Sequence, residues 1–346
     1  MSGFDSFLKN ERLIERLKRD IASGRLAHAY IIEGGEGCGK RTLANLICSA
    51  VSCIEADRPC MKCVNCSKIV RSQSPDVTTV TPEKDRVQIG VDVIRRLQED
   101  TAIAPNDLPR KFYIIPNAAA MNDHAQNAML KILEEPPPYV TFLLLCEKAE
   151  NLLPTIRSRA PIYRIEALTD DVIIDTLKKD EETKTLSERD PDSFFAAVKL
   201  ARGSLGRAKQ LTDGKNAEEC LKTYKKAEHF IELLAERKDR ASELAYHEYS
   251  IKLVGSKERE ELSDIYSLLS DAIRDLINVK LTASPSPIFY TTAEKAREIA
   301  DKFALSKLMT LLDVFIKASD SLMQNSNMNL TEARTSAAAA AATRVK

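Results

Sequence analysis

The sequence predicts an α/β domain with a doubly wound parallel sheet, followed by a largely helical C-terminal half. Short apolar runs alternate with helical patterns in the first half of the chain, and a glycine-rich loop separates the first run from a helix. Strand signals fade after Leu168. A chain of 346 residues is expected to form two or three domains.

The predicted strands are short, apolar, β-type runs, as expected where helices cover both faces of a parallel sheet. They span residues 29–32, 77–80, 112–115, 140–146 and 162–165. Helical patterns occupy 43–51, 91–101 and 124–133, and then 170–178 and 192–202. The stretch 216–323 is helix-compatible, with breaks predicted near 255, 284–287 and 325–329.

Residues 34–42 read GGEGCGKRT and match the phosphate-loop pattern G-x-x-x-x-G-K-[ST] as far as the lysine. Glycines let backbone N–H groups face phosphate oxygens, and the lysine reaches the β- and γ-phosphates. Arg41 replaces the hydroxyl that would hold Mg²⁺. Thr42 lies about 100° further around the helix, so its hydroxyl is expected to point elsewhere. The candidate nucleotide-binding residues are Gly34, Gly37, Gly39, Lys40 and Thr42. The alternative is a glycine turn in another α/β fold.

A second magnesium-holding group is also missing. In a phosphate-loop enzyme, the strand that carries the second acidic motif ends in Asp. The best candidate strand, 111–115, continues into Pro116-Asn117, and neither residue is charged. Unless another strand plays this part, the chain is expected to grip ATP or ADP without hydrolysing it, or to leave the loop empty.

Four of the eight cysteines lie between positions 53 and 66, with the spacing C-x6-C-x2-C-x2-C. Cys53, Cys60, Cys63 and Cys66 are predicted to hold a structural Zn²⁺, because four thiolates close its coordination shell. An iron–sulfur cluster and unligated thiols are the alternatives. Cys48 is an alternative first ligand in place of Cys53.

The charge balance argues against a protein that binds nucleic acid or anionic membrane strongly by itself. Lys plus Arg and Asp plus Glu both total 51. No apolar run approaches the length of a membrane span, and residues 1–10 lack the pattern of an export signal. A cytoplasmic, reducing location is therefore expected, in which cysteines are thiols or metal ligands.

Several motifs together resemble the bacterial clamp loader of the AAA+ superfamily. They are His28-Ala-Tyr30, the glycine loop, the cysteine cluster, the stretch NAMLKILEEPP at 127–137 and the pair Ser158-Arg159. Residues 203–208, GSLGRA, are similar to the signature of the family's lid domain. The two broken nucleotide motifs look most like the delta-prime subunit and unlike the gamma/tau motor.

The resemblance implies that Arg159 is an arginine finger, which acts on the nucleotide of a neighbouring subunit. Such a guanidinium can accelerate hydrolysis by about 10³–10⁵. Ala160 replaces the cysteine of the family's Ser-Arg-Cys motif, Cys146-Glu147 replaces a sensor threonine, and Arg207 falls at the second sensor position. A surface salt bridge is the alternative for Arg159.

The resemblance also implies a domain order. We expect an AAA+ domain at 1–166 with its zinc module at 53–66, a helical lid at 167–215, a helical oligomerisation collar at 216–330 and an alanine-rich tail at 331–346. The implied partners are the gamma/tau and delta subunits, with the sliding clamp and primer–template DNA contacted mainly through the complex. Two other functions stay open, an ATP-hydrolysing gamma/tau-like motor and a zinc-stabilised nucleic-acid-binding module.

Overall fold

The computed structural model describes residues 3–7, 9–84, 86–237, 239–254, 259–283, 287–323 and 327–343. The chain forms two compact units. Unit 1 comprises Met1–Thr169 and Gly203–Arg207, and unit 2 comprises Asp170–Arg202 and Ala208–Lys346. Within the described ranges, no helix combines the length and the apolar character needed to cross a membrane.

Unit 1 is an α/β unit built on one parallel sheet. The five strands of that sheet lie in the order β2-β3-β4-β1-β5, and every neighbouring pair is parallel. The elements are α1 (Glu11–Ala22), β1 (Ala29–Glu33), α2 (Lys40–Ser52), α3 (Val64–Val70), β2 (Val77–Thr79), α4 (Val91–Thr101), β3 (Lys111–Ile115), α5 (Asp123–Glu134), β4 (Val140–Cys146), α6 (Pro154–Arg157) and β5 (Ile162–Arg164). The predicted doubly wound parallel sheet is confirmed.

Successive residues of β4 explain why both faces of the sheet are covered. Phe142 and Leu144 belong to one buried cluster, together with residues of α4 and α5. Leu143 and Leu145 belong to the other, together with residues of α2. Because side chains alternate between the two faces of a strand, an unbroken apolar run supplies both layers.

Unit 2 is helical. Its elements are α7 (Asp170–Leu177), α8 (Glu181–Arg189), α9 (Pro191–Ala201), α10 (Leu205–Leu211, which begins in unit 1), α11 (Gly214–Glu236), α12 (Arg240–Val254), α13 (Arg259–Leu281), α14 (Ala293–Ala300), α15 (Leu305–Met323) and α16 (Met328–Thr343). Residues of α9, α11, α13 and α15 share one hydrophobic cluster. The helical C-terminal half is confirmed, whereas the division into lid, collar and tail stays a prediction. The breaks predicted at 255 and 284–286 lie outside the described residues, as do 325–326 of the third.

The alanine-rich run at 337–342 is part of α16, so the predicted boundary between 330 and 331 falls inside a helix. Ala339 and Ala340 are buried. The buried guanidinium of Arg237 donates to the carbonyl oxygen of Ala340 at 3.0 Å and to Oγ1 of Thr343 at 2.6 Å. A cation beside the last carbonyl groups of a helix is favourable, and it stabilises this end of the chain.

Candidate functional site

The glycine loop joins the end of β1 to the start of α2, as a phosphate-binding loop requires. Gly37 and Gly39 have φ angles of +64° and +96°, a region that favours glycine over other residues. The backbone N–H of Gly34 donates to the carbonyl oxygen of Cys146 at 3.2 Å. This bond ties the loop to the end of β4.

Lys40, the first residue of α2, points back over the loop. Its Nζ donates to the carbonyl oxygens of Gly34 and Gly35, each at 2.7 Å. The ammonium group therefore lies beside the loop backbone, where a lysine contacts phosphate oxygens.

A cavity of about 670 Å³ opens beside the loop at the carboxyl ends of β3 and β4. Its wall includes Gly37, Gly39, Lys40, Arg41, Thr42, Pro116, Asn117, Cys146 and Glu147. The end of β3 thus faces the loop and presents Pro116-Asn117 there without a carboxylate. Thr42 also lines the cavity, next to Arg41. The direction in which its hydroxyl points stays a prediction.

Two other segments of unit 1 pack against the loop. A Cβ atom at Gly39 would lie 3.1 Å from the ring of Phe7, and one at Gly206 would lie 3.2 Å from the carbonyl oxygen of Gly37. Oγ of Ser204 accepts the N–H of Arg207 at 3.0 Å, which shapes the turn that contacts Gly37. The segment 203–207 and Phe7 therefore cover the loop on sides where a larger residue would not fit.

The cysteine cluster forms next to α3. The Sγ atoms of Cys53, Cys60, Cys63 and Cys66 all lie within 4.8 Å of one another. Four sulfurs at about 2.3 Å from one Zn²⁺ would be about 3.8 Å apart, so the arrangement is compatible with a tetrahedral site. Cys48 lies in the hydrophobic core of unit 1 and outside this cluster, which favours Cys53 as the first ligand.

Hydrogen bonds to the sulfurs suit them to the role of metal ligands. The N–H of Cys63 donates to Sγ of Cys60 at 3.2 Å, and the N–H of Cys60 reaches Sγ of Cys53 at 3.5 Å. Burial opposes ionisation of Cys63, but backbone N–H groups of Cys66 and Ile54 and the neighbouring thiols lower its pKa to about 6. Burial and the neighbouring thiols raise the pKa of Cys66. A bound zinc would occupy all four sulfurs and supply folding stability, with no position open for substrate.

Arg159 follows α6 and is anchored at two points. Nη2 lies 2.6 Å from Oε1 of Glu134, the last residue of α5, and Nη1 donates to the carbonyl oxygen of Thr155 at 3.0 Å. The Arg159 side chain is 34% exposed. Arg157 differs, because its buried Nε has no hydrogen-bond partner among the residues that the structure describes.

The predicted site residues thus fall into three groups within unit 1. Gly37, Gly39, Lys40 and Thr42 line one cavity with Pro116-Asn117, whereas Gly34 belongs to the loop but not to the cavity wall. The four cysteines form a separate cluster, and Arg159 belongs to neither site. The sequence reasoning gave a salt bridge as the alternative for Arg159 but did not identify Glu134 as its partner, and it did not identify the covering segment at 203–207. Two sequence features pointed to these contacts, namely the stretch 127–137 and the small residues at 203–206. Neither feature shows which residue its side chains contact.

Comparisons with known proteins identify relatives among the subunits of DNA polymerase III. The family model described as "DNA polymerase III, delta subunit" matches residues 9–169. The chain is 35% identical over 167 residues to DNA polymerase III subunit delta' of Bacillus subtilis, covering 48% of this chain and 50% of that protein. It is 30% identical over 204 residues to subunit delta' of Escherichia coli, covering 58% and 59%.

A relative named as a tau subunit is also similar. DNA polymerase III subunit tau of Bacillus subtilis is 28% identical over 212 residues, covering 61% of this chain and 37% of that protein. The chain therefore spans less than two thirds of the length of each of these relatives. Residues 9–169 are therefore similar to DNA polymerase III subunits of the delta and delta' type.

Proposed function

We propose that the chain is a non-hydrolysing subunit of the replicative clamp loader, of the delta-prime type. The observation that carries this proposal is the composition of the cavity wall. Arg41 and Pro116-Asn117 stand at the two places where a hydroxyl and a carboxylate would hold Mg²⁺. Without that ion, the cavity lacks the metal that would offset charge developing on a γ-phosphate during hydrolysis.

The loop would serve as a static site for ATP or ADP. Lys40 and the glycines of the loop supply the cation and the backbone geometry that phosphate binding needs. The cover formed by Phe7 and 203–207 supports a rigid loop, and a zinc ion held by the four cysteines would stabilise the adjacent module. We expect this rigid unit to act in the cytoplasm, within an assembly of gamma/tau and delta subunits.

In that assembly, Arg159 would complete the active site of a neighbouring motor subunit. Arg159 lies outside its own chain's cavity and is partly exposed, as a residue that acts in trans must be. A guanidinium placed against the transferred phosphate offsets its developing negative charge. Loading of the sliding clamp onto primer–template DNA would follow from ATP turnover in the neighbour, and this chain would contact clamp and DNA mainly through the complex.

The test is an ATPase assay of the complex reconstituted with gamma/tau and delta subunits. We expect Arg159→Ala to lower the rate by about 10³ without preventing assembly. Arg157→Ala is the matched control, because Arg157 lies two residues earlier on the same short segment, and we expect it to retain most of the rate. An unchanged rate with Arg159→Ala would refute the role in trans.

A gamma/tau-like motor is the second candidate. It is favoured by Thr42, which lines the cavity and carries a hydroxyl, and by the similarity to the tau subunit. This candidate predicts robust ATP turnover by the purified chain, abolished by Thr42→Val. The non-hydrolysing proposal predicts negligible turnover with or without that change.

A further inference from the structure

We propose that Glu134 is a positioning residue, which holds the guanidinium of Arg159 in the orientation needed at a neighbour's nucleotide. This inference rests on the proposed function of Arg159. It assigns a role to one residue of the stretch 127–137.

The contact geometry fixes the plane of the guanidinium and not only its location. Glu134 accepts from Nη2 at 2.6 Å, while the carbonyl oxygen of Thr155 accepts from Nη1 at 3.0 Å. The two acceptors belong to different helices, α5 and α6, so rotation about the Arg159 side chain would break at least one bond. An arginine has five N–H donors, and these two bonds leave three for the oxygens of a phosphate.

The helix ends place Glu134 where this contact is possible. Glu134 is the last residue of α5, and Glu135 has left the helical conformation, with φ −128° and ψ 66°. Proline residues follow directly and prevent the helix from continuing. α5 is also tied to the start of α6, because Oε1 of Gln126 accepts the backbone N–H of Leu153 at 2.8 Å. The frame that carries the Glu134–Arg159 pair is therefore held at both ends of α5.

Exposure indicates that the pair contributes to orientation more than to folding. The side chains of Arg159 and Glu134 are 34% and 52% exposed, and exposed ion pairs add little to stability. An arginine that is already held in one rotamer loses less side-chain entropy when it binds an anion. Removal of Glu134 is thus expected to slow hydrolysis in the neighbour while leaving the fold intact.

Glu135 supplies a matched control. It is an adjacent, exposed carboxylate with the same charge, and its side chain makes no hydrogen bond or ion pair within the described part of the chain. If only the local negative charge matters, removal of either glutamate has the same effect. If orientation of Arg159 matters, only removal of Glu134 has an effect.

The experiment measures kcat and KM for ATP in the reconstituted complex. We expect Glu134→Ala to lower kcat about tenfold with KM unchanged, because a catalytic group is displaced while nucleotide binding is not. Glu134→Gln, which keeps an oxygen acceptor, should restore part of the rate, and Glu135→Ala should leave it unchanged. The double variant Glu134→Ala/Arg159→Ala should be no slower than Arg159→Ala, because both changes remove one function.

A Glu134→Ala complex with the normal rate would overturn the inference, as would multiplicative effects in the double variant. If Arg159→Ala lowers the rate and Glu134→Ala does not, only this inference fails and the role of Arg159 stands. If Arg159→Ala itself has no effect, the proposed function fails and takes the inference with it. Thermal unfolding of each variant should match that of the unsubstituted chain, and a large loss of stability in Glu134→Ala alone would favour a structural role.

Discussion

The cysteine cluster and the glycine-loop cavity belong to the same unit but differ in the completeness of their donor groups. The cluster brings together four sulfurs, the full set that a structural zinc ion uses. The cavity keeps the glycine backbone and Lys40 but presents Arg41 and Pro116-Asn117 where magnesium ligands would stand. The four sulfurs are sufficient to bind a zinc ion. The cavity lacks the magnesium ligands, and this supports a site that binds nucleotide without hydrolysing it.

The largest expected effect concerns the cluster. Structural zinc in small modules contributes about 10–16 kcal/mol of apparent binding free energy, which is also folding free energy. Removal of the metal by a chelator, or Cys60→Ser, should therefore unfold the segment around 53–70. Metal analysis should find about one zinc per chain before treatment, and hydrogen exchange should show loss of protection in this segment afterwards.

Cys48→Ala is the control for the cluster, because Cys48 is buried in the core outside it. The variant should keep the same zinc content as the unsubstituted chain. Iron with visible absorbance, or loss of zinc in Cys48→Ala, would contradict the assignment.

A smaller effect is expected from Gly37→Ala. The φ of +64° disfavours a residue with a Cβ atom, and the added methyl group would press against Ser204. We expect the free energy of unfolding to fall by about 1–3 kcal/mol, measured by urea titration. Gly35→Ala should be nearly neutral, since its Cβ would meet no atom within 4 Å. Equal effects of the two changes would show that the cover at 203–207 does not constrain the loop.

The smallest expected effect comes from rebuilding the missing groups. The double variant Arg41→Thr/Pro116→Asp returns a hydroxyl and a carboxylate to the cavity wall. We expect magnesium to increase ATP affinity about tenfold in this variant, since one or two carboxylates with phosphate oxygens suffice for Mg²⁺. Equilibrium binding with and without Mg²⁺ measures the effect, and the unsubstituted chain should show much weaker magnesium dependence.

Local patterns explain which features were predictable from sequence. β4 was predicted because an apolar run encodes a strand buried on both faces, and the clustering of Cys60 and Cys63 followed from their two-residue gap. The Glu134–Arg159 pair joins residues 25 positions apart, and no periodicity connects them. Helix geometry gives the rotation of Thr42 relative to Lys40, but it does not give the width of the cavity that both Arg41 and Thr42 line.

Asp76 makes a second long-range contact that the sequence does not reveal, and this contact belongs to the fold and not to the candidate site. Its buried carboxylate accepts backbone N–H groups of Asn106, Asp107 and Leu108 at 2.7–2.8 Å. These bonds hold the loop that leads into β3. The sequence around a single aspartate shows no pattern from which its contacts with residues 106–108 can be predicted.

The central claim, that the cavity binds without turning over nucleotide, is tested most directly by ATP hydrolysis in the purified chain. The account predicts no magnesium-dependent release of phosphate above background, and no change with Lys40→Ala, while equilibrium binding of ATP or ADP weakens in that variant. Sustained turnover that requires magnesium and disappears in Lys40→Ala would contradict the account and identify the chain as a motor.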